Sequence, residues 1–190
     1  MSLNLKNKGI NTLVTHAGEN PDTVHGSVGV PIYQTSTFKF QDADHGARLF
    51  GGEEKGYIYT RIGNPTTNTF EEAVALLEHG FGGIATASGM AAVSSVYMTY
   101  LGAGAHMVGT DAVYGSSRMV VENDFSRFGV ESSFVDTSDL DLIRRSMKPN
   151  TKLLYIETPA NPTIKLADIE ACAEIAHEHG AVLVVDNTFM

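Results

Sequence analysis

The chain has 190 residues, enough for one domain of ordinary size or for a domain with an additional segment. Its 43% hydrophobic and 18% charged residues are typical of a globular protein and argue against intrinsic disorder. The net charge of −9 leaves no basic surface to neutralise phosphates, so the composition argues against nucleic-acid binding.

Cysteine usage and hydropathy indicate where the protein works. The single cysteine, Cys172, excludes an internal disulfide framework and fits a reducing compartment. The N-terminus lacks the apolar core of a signal peptide. Residues 81–110 contain no Asp, Glu, Lys or Arg, but their glycines, serines and threonines divide them into short pieces, which favours a buried strand–helix–strand unit over a membrane span. We therefore expect a cytoplasmic protein without a membrane partner.

The first 60 residues show little periodicity and are rich in Gly, Thr, Ser and Gln. This pattern predicts an extended arm with one short helix near residues 42–49. Because such an arm rarely packs on its own domain alone, we expect it to cross to a neighbouring subunit of a homo-oligomer.

Residues 61–190 alternate between helical and strand patterns. Asn64 and Pro65 begin a helix that Gly80 ends. Further helices are predicted at 90–101, 116–128, 139–147 and 167–179, and strands at 84–87, 106–109, 130–135, 152–157 and 182–185. This alternation predicts an α/β domain with a mainly parallel sheet and helices on both faces.

Distinctive residues follow the predicted strands, at the edge where such sheets bind ligands. Ser88, Gly89 and Met90 open a helix, whose free N–H groups can hold a phosphate or form an ordinary turn. Tyr114 precedes a helix and can stack on a flat ligand or pack as a common aromatic. Asn161 lies in a proline-bracketed loop, and Asp186 ends the last strand, where it binds a ligand or caps a helix. The scattered histidines predict no metal site.

Six stretches in this order resemble one family: VPIYQTSTF (30–38), YTRIGNPT (59–66), ASGMAA (87–92), YGSS (114–117), YIETPANPT (155–163) and VVDNTF (184–189). The chain resembles the pyridoxal-phosphate enzymes of sulfur amino-acid metabolism. The resemblance implies an aminotransferase-like fold (fold type I of these enzymes), pyridoxal 5'-phosphate as cofactor, and a homotetramer built of dimers that share active sites.

The resemblance also assigns roles to individual residues. The N–H groups of Gly89 and Met90, together with Ser88, are expected to hold the phosphate. Tyr59 and Arg61 are expected to bind the phosphate in the neighbouring subunit's site, because the arginine fork matches phosphate oxygens.

The other assigned roles concern the cofactor ring. Tyr114 resembles the residue that stacks on the ring and exchanges a proton with the leaving thiol. Asn161 is similar to the asparagine at the ring hydroxyl. Asp186, with Thr188 beside it, is expected to pair with the pyridine nitrogen, so Tyr114 and Asp186 are the expected catalytic residues.

The lysine that forms the Schiff base in this family follows the aspartate strand. Every lysine of this chain precedes Asp186 and matches nothing in that motif. We therefore expect the chain to be the N-terminal part of a longer enzyme, with an arm at 1–60 and a cofactor-binding domain at 61–190 that lacks the catalytic lysine.

The stretch LFGGEEKGYIYTRIGNPT (49–66) most resembles methionine γ-lyases and their sulfhydrylase relatives. We expect elimination of methanethiol from methionine, leaving α-ketobutyrate and ammonia. Methionine γ-lyases often have cysteine two residues after the stacking tyrosine, whereas this chain has Ser116. Cystathionine γ-lyase, cystathionine γ-synthase and O-acetylhomoserine sulfhydrylase activities therefore remain alternatives, as does a non-catalytic module that binds a phosphate ligand or a partner.

Overall fold

A computed structural model describes residues 5, 7–20 and 22–190. The chain divides into two compact units, the first ending at Ala85 and the second running from Thr86 to Met190. The described residues of the first unit form three helices: α1 (Ile10–His16), α2 (Ala43–Phe50) and α3 (Pro65–Leu77). The predicted helices near 42–49 and after Asn64 are thus confirmed, whereas α1 was not predicted because its seven residues bury only Leu13 and have no side-chain cap.

The start of α3 organises the first unit. Asn64 is buried and caps α3 by accepting a hydrogen bond from the N–H of Thr66. Its amide nitrogen donates to the carbonyl of Tyr33 and to the hydroxyl of Thr60, at 2.9 and 3.0 Å. Thr66 in turn accepts from the N–H of Tyr33. These bonds hold two irregular segments, around residues 33 and 60, against the first turn of α3.

Gly18 lets the chain turn away from α1 in direct contact with α3. Its φ is +75°, a region that favours glycine, and a Cβ at this position would lie 2.0 Å from the carbonyl oxygen of Thr69. Any other residue here would push α1 and α3 apart.

The second unit is a four-stranded parallel sheet with strand order β2-β1-β3-β4. The strands are β1 (His106–Thr110), β2 (Glu131–Val135), β3 (Thr151–Glu157) and β4 (Val182–Asp186). The helices are α4 (Gly89–Tyr100), α5 (Gly115–Met119), α6 (Leu140–Ser146) and α7 (Ile169–Glu178). A π-helical turn (Val120–Asp124) and a 3-10 turn (Phe125–Phe128) continue α5, so the predicted helix at 116–128 has three geometries.

The predicted strand at 84–87 is wrong. Within the described residues this segment pairs with no strand, and the N–H of Ala85 donates instead to the carboxylate of Glu71 at 2.8 Å. Its apolar side chain Ile84 is 89% exposed. A short apolar run becomes a strand only where a neighbour completes its hydrogen bonds.

The side chains of β1 and β3 point alternately to the two faces of the sheet and form a core on each face. One face combines Met107, Leu153 and Tyr155 with Tyr97 of α4 and Phe125. The other face combines Val108, Leu154 and Ile156 with side chains of α6 and α7, including Ile143 and Cys172. Cys172 is fully buried, and burial raises the pKa of its thiol to about 11, so it packs as a small apolar residue. The predicted α/β fold class is confirmed.

A buried histidine at the amino-terminal edge of the sheet connects β1 to the strands on either side of it. His106 Nδ1 lies 2.8 Å from the Thr151 hydroxyl and Nε2 lies 2.9 Å from the Ser133 hydroxyl. Burial lowers the pKa of His106 below its ordinary 6.5, and nearby Lys148 lowers it further, whereas Glu131 acts in the opposite direction. The folded state therefore disfavours the imidazolium.

This lowered pKa predicts a pH dependence of stability. Below pH 6.5 the unfolded chain binds a proton at His106 that the folded state resists, so the free energy of unfolding falls as the pH is lowered through that value. We expect the free energy of unfolding, measured with urea, to fall less between pH 7 and 5.5 in His106→Gln than in the unsubstituted protein. At pH 8 the imidazole is neutral in both states, so a difference there reports packing alone. An equal pH dependence for the two proteins would contradict the prediction.

Candidate active site

A cavity of about 480 Å³ lies within the second unit, at the carboxyl ends of β3 and β4. This is the edge at which parallel α/β sheets bind ligands. Its walls come from α4, the segment before α5, and the ends and following loops of β3 and β4. The lining residues are Gly89, Met90, Ala92, Val93, Val96, Tyr114, Ser117, Tyr155, Glu157, Asn161, Val184, Val185, Asp186, Asn187, Thr188 and Phe189.

The first turn of α4 supplies free hydrogen-bond donors. Ser88 is the N-cap, and its hydroxyl accepts from the N–H of Ala91 at 3.1 Å. The N–H groups of Gly89 and Met90 come earlier in the turn and have no carbonyl to bond within the helix. Apart from its chain neighbours and the backbone of its own turn, Gly89 has no heavy atom within 4 Å of where a Cβ would be, so a ligand can approach its backbone. With the helix dipole, this end of the cavity favours an anion.

Asp186 ends β4 with its carboxylate held by three donors. Oδ1 accepts from the N–H and the hydroxyl of Thr188, at 3.2 and 2.5 Å. Oδ2 accepts from the hydroxyl of Tyr155 at 3.1 Å. Burial, and then the negative charge of Asp186, raises the pKa of Tyr155, so its hydroxyl stays protonated and donates. The orientation of Asp186 is therefore set before any ligand binds.

Tyr114 and Asn161 reach the cavity from two different loops. Tyr114 is 55% exposed and stands immediately before α5. Its N–H donates to Glu157 Oε2 at 2.8 Å, and the N–H of Asn161 donates to Glu157 Oε1 at 3.1 Å. A single carboxylate at the end of β3 thus contacts the backbone of both loops.

The two carboxylates of the cavity are neighbours on adjacent strands. Glu157 pairs in register with Asp186 in the parallel ladder between β3 and β4. In the part of the chain that the structure describes, no Lys, Arg or His lines this cavity. Two partly desolvated carboxylates without a cation favour a ligand that carries positive charge at this end. The cavity therefore suits a ligand with a cationic group near Asp186 and an anionic group near α4.

Six of the nine residues singled out in the sequence line this cavity: Gly89, Met90, Tyr114, Asn161, Asp186 and Thr188. Ser88 caps the helix that opens it. Sequence reasoning missed Tyr155 and Glu157, both inside the strand KLLYIE. The signal for Glu157 was present, because a lone carboxylate at the end of an apolar strand is the same pattern that singled out Asp186.

Tyr59 and Arg61 belong to the first unit. The guanidinium carbon of Arg61 lies 5.2 Å from the centroid of the Tyr59 ring, a cation–π contact that orients the arginine. Both residues line a cleft with Tyr33 and Thr35. Among the described residues no carboxylate forms a salt bridge with Arg61, so its donors are available to an anion.

Within the described residues, no group of three or more His, Cys, Asp or Glu side chains is arranged to bind a metal ion. None of the helices in that part of the chain is both long and apolar enough to cross a bilayer.

A parallel α/β sheet with an anion site, an oriented carboxylate and an exposed aromatic ring in one cavity defines the class: an enzyme fold that binds a flat cofactor with a phosphate. The comparison with known proteins agrees. The profile of the Cys/Met metabolism PLP-dependent enzyme family matches residues 11–190, and the chain belongs to this family.

Individual relatives share both sequence and fold with the chain. It is 47% identical to an L-methionine gamma-lyase of Fusobacterium nucleatum, covering 98% of this chain and 47% of that protein. The structure of metB from Corynebacterium glutamicum superposes with a TM-score of 0.89 at 38% identity, covering 97% of this chain and 46% of that one. The structure of a putative O-acetylhomoserine (thiol)-lyase from Campylobacter jejuni, with N'-pyridoxyl-lysine-5'-monophosphate, superposes with a TM-score of 0.87 at 35% identity. The match covers 95% of this chain and 44% of that one. The chain spans about half the length of these relatives.

The aromatic residues beneath the cavity provide a matched test of the Asp186 contact. Tyr97 and Tyr155 are both buried, with ring centroids 5.6 Å apart, but the Tyr97 hydroxyl donates to a neutral acceptor, the Ser117 carbonyl, at 3.4 Å. Because hydrogen bonds to charged groups are the stronger ones, Tyr155→Phe should cost about 1.5–3 kcal/mol of unfolding free energy and Tyr97→Phe about 1 kcal/mol or less. Denaturant titration of the two variants measures this difference. Equal costs would show that the Tyr155 hydroxyl does not hold Asp186.

Proposed function

We propose that the protein is a pyridoxal-phosphate-dependent carbon–sulfur lyase that converts L-methionine to methanethiol, α-ketobutyrate and ammonia. The observation that carries this proposal is the Asp186 carboxylate, oriented by Thr188 and Tyr155 in the cavity that the first turn of α4 also lines. The 47% identity to an L-methionine gamma-lyase supports methionine as the substrate.

The residues of the cavity fit pyridoxal 5'-phosphate. Bound there, the cofactor would supply an electron-withdrawing ring that stabilises negative charge at the substrate's α-carbon. Gly89 and Met90 would hold its phosphate with backbone N–H groups, and Ser88, which caps that turn, would support them. Asp186 would hold a proton on the ring nitrogen, because its fixed negative charge favours the protonated form.

Two further residues would act on the ring and the leaving group. Tyr114, half-exposed beside the cavity, would stack on the ring and exchange a proton with the leaving thiol through its hydroxyl. Asn161 would donate to the ring hydroxyl with its side-chain amide. Thr188 would keep the Asp186 carboxylate turned towards the ring.

We assign Tyr59 and Arg61 to the phosphate site of a neighbouring subunit. Their stacked arrangement and the free donors of Arg61 support this role. The domain assignment of an arm at 1–60 that crosses to that subunit, followed by a cofactor-binding domain from 61 to 190, belongs to the same proposal. It includes a homotetramer of active-site-sharing dimers. The single, buried cysteine and the acidic composition support a cytoplasmic enzyme without nucleic-acid or membrane partners.

A second candidate activity is replacement of the acetate group of O-acetylhomoserine by sulfide or a thiol. Ser116 stands where methionine γ-lyases often have cysteine, and one of the structural relatives is described as a putative O-acetylhomoserine (thiol)-lyase. Cystathionine cleavage or synthesis is the further alternative within the family. The same cavity residues would serve each reaction, so assays with the different substrates are needed to distinguish these activities.

The proposal is tested on the purified full-length protein, meaning the longer enzyme of which this chain is expected to be the N-terminal part. The protein is loaded with pyridoxal phosphate and dialysed. A visible absorbance band that survives dialysis supports cofactor binding. We expect methanethiol and α-ketobutyrate from methionine at a higher kcat/KM than the products from cystathionine or from O-acetylhomoserine with sulfide. Preference for either of the latter two would replace the methionine assignment. A protein without retained cofactor and without any of these reactions would contradict the proposed function.

Asp186→Ala should lower kcat by at least about a hundredfold, because the charge it supplies acts in the transition state. The matched control is Asp168→Ala, since Asp168 is also an aspartate that accepts a backbone N–H, that of Ala171, but lies outside the cavity. Loss of this cap should cost about 1 kcal/mol of stability and leave turnover unchanged. Near-normal turnover in Asp186→Ala would refute its assigned role.

Site sharing between subunits predicts complementation. Arg61→Ala and Asp186→Ala should each be nearly inactive, but co-assembled subunits should recover about a quarter of the activity, because each hybrid dimer contains one intact site. Mixing Arg61→Ala with the Arg61→Ala/Asp186→Ala double variant is the control and should recover nothing. If hybrids form, as shown by differently tagged subunits, and activity does not return, Arg61 acts within its own subunit.

A further inference from the structure

Glu157 occupies a position that the proposed mechanism does not use. It ends β3, is 5% exposed, and lines the cavity beside Asp186. Each of its two oxygens accepts one backbone N–H: Oε2 from Tyr114 at 2.8 Å and Oε1 from Asn161 at 3.1 Å. These two residues carry the side chains assigned to the ring in the proposed function.

The two loops that Glu157 contacts come from different parts of the chain. Tyr114 precedes it by 43 residues and Asn161 follows it by four. Loops are the most variable and mobile parts of a fold, whereas a strand in the interior of a sheet is among the most rigid. β3 lies between β1 and β4, so its last side chain is a fixed point from which both loops can be held.

The chemistry of the contact selects a carboxylate. Both partners are N–H donors, and an ionised carboxylate is acceptor-only, so it satisfies both at once. A glutamine of the same shape has one acceptor oxygen and one NH2 group, and would place the NH2 group against one of the two N–H donors. Protonation of either oxygen would weaken its bond to a backbone N–H, so Glu157 is also poorly suited to take a proton from a substrate.

We propose that Glu157 is a positioning residue that fixes the backbones of Tyr114 and Asn161, so that their side chains contact the cofactor ring in one orientation. This inference rests on the proposed function, because it assigns Glu157 through the two residues that contact the ring. Positioning of this kind matters because small displacements of contacting groups cost large factors in rate.

The test compares Glu157→Gln with Thr158→Val in the full-length protein. Thr158 is the adjacent buried residue, and its hydroxyl accepts from the N–H of Ala167 at 3.1 Å, so it secures the far end of the loop that contains Asn161. Its replacement loosens this loop without touching the link to Tyr114. Glu157→Asp, which keeps both acceptors on a shorter side chain, is the second variant if Glu157→Gln does not fold.

The first readout needs no cofactor. In the cofactor-free protein, Glu157→Gln should raise the hydrogen-exchange rate of the Tyr114 or the Asn161 amide by about tenfold or more, because one of them loses its acceptor. Thr158→Val should leave the Tyr114 amide unchanged. Unchanged exchange at both amides in Glu157→Gln, or in Glu157→Asp where that variant replaces it, would overturn the inference.

The second readout follows the cofactor itself. With pyridoxal phosphate bound, Glu157→Gln should alter the visible circular dichroism band and lower kcat about tenfold with a smaller change in KM, because the ring contacts are lost while substrate binding is retained. Thr158→Val keeps both Glu157 contacts, so it should change the band and kcat less than Glu157→Gln does. A Glu157→Gln protein with the unsubstituted band and kcat overturns the positioning role. If the unsubstituted protein itself binds no cofactor, the proposed function fails, and amide exchange still decides whether Glu157 holds the two loops.

Discussion

The site depends on the parallel, in-register pairing of β3 with β4. This ladder sets Glu157 beside Asp186 and places Tyr155 two residues back on the same face. Two carboxylates at adjacent positions repel each other, so the surrounding structure has to supply donors. It does so from three directions: the Tyr155 hydroxyl within the sheet, Thr188 after β4, and the backbone of the two loops that Glu157 holds. The acidic pair therefore organises the loops around it.

The sequence predicted β3 and β4 well because both are largely apolar runs that follow the capped helices α6 and α7. Asp139 and Asp168 cap α6 and α7 through their side chains, and such signals are local. The strand at 84–87 was wrong for the opposite reason, since pairing depends on a partner that the local sequence does not specify. The change from α- to π-helical and 3-10 geometry after Met119 is likewise not marked locally, because residues 119–128 contain no Gly or Pro.

The candidate site, like the sheet, was predicted in part, and the residues that were found differ physically from those that were missed. Asp186 ends β4 and Asn161 follows β3, so a rule about the carboxyl edge of parallel sheets was enough to find them, and Gly89 was found as the opening of a helix. Tyr155 lies inside a strand whose pattern indicates core, and Glu157, at the end of that strand, was missed although the same rule applies to it. Their roles depend on long-range contacts, such as the 43-residue separation between Tyr114 and Glu157, which periodicity does not encode.

The two ends of the cavity favour opposite charges, and this division restricts the class of ligand more than any single residue does. Free N–H groups of the α4 N-terminus mark one part of its wall, and two carboxylates mark another. An anion alone would satisfy the helix but leave the carboxylates without a positive charge beside them, and a neutral ring would satisfy neither. A ligand with a phosphate and a protonated ring nitrogen satisfies both, because each charge meets its complement without a cation from the cavity wall. A basic side chain beside Asp186 would compete with the ring for its charge, and so would weaken the interaction on which the proposed chemistry depends.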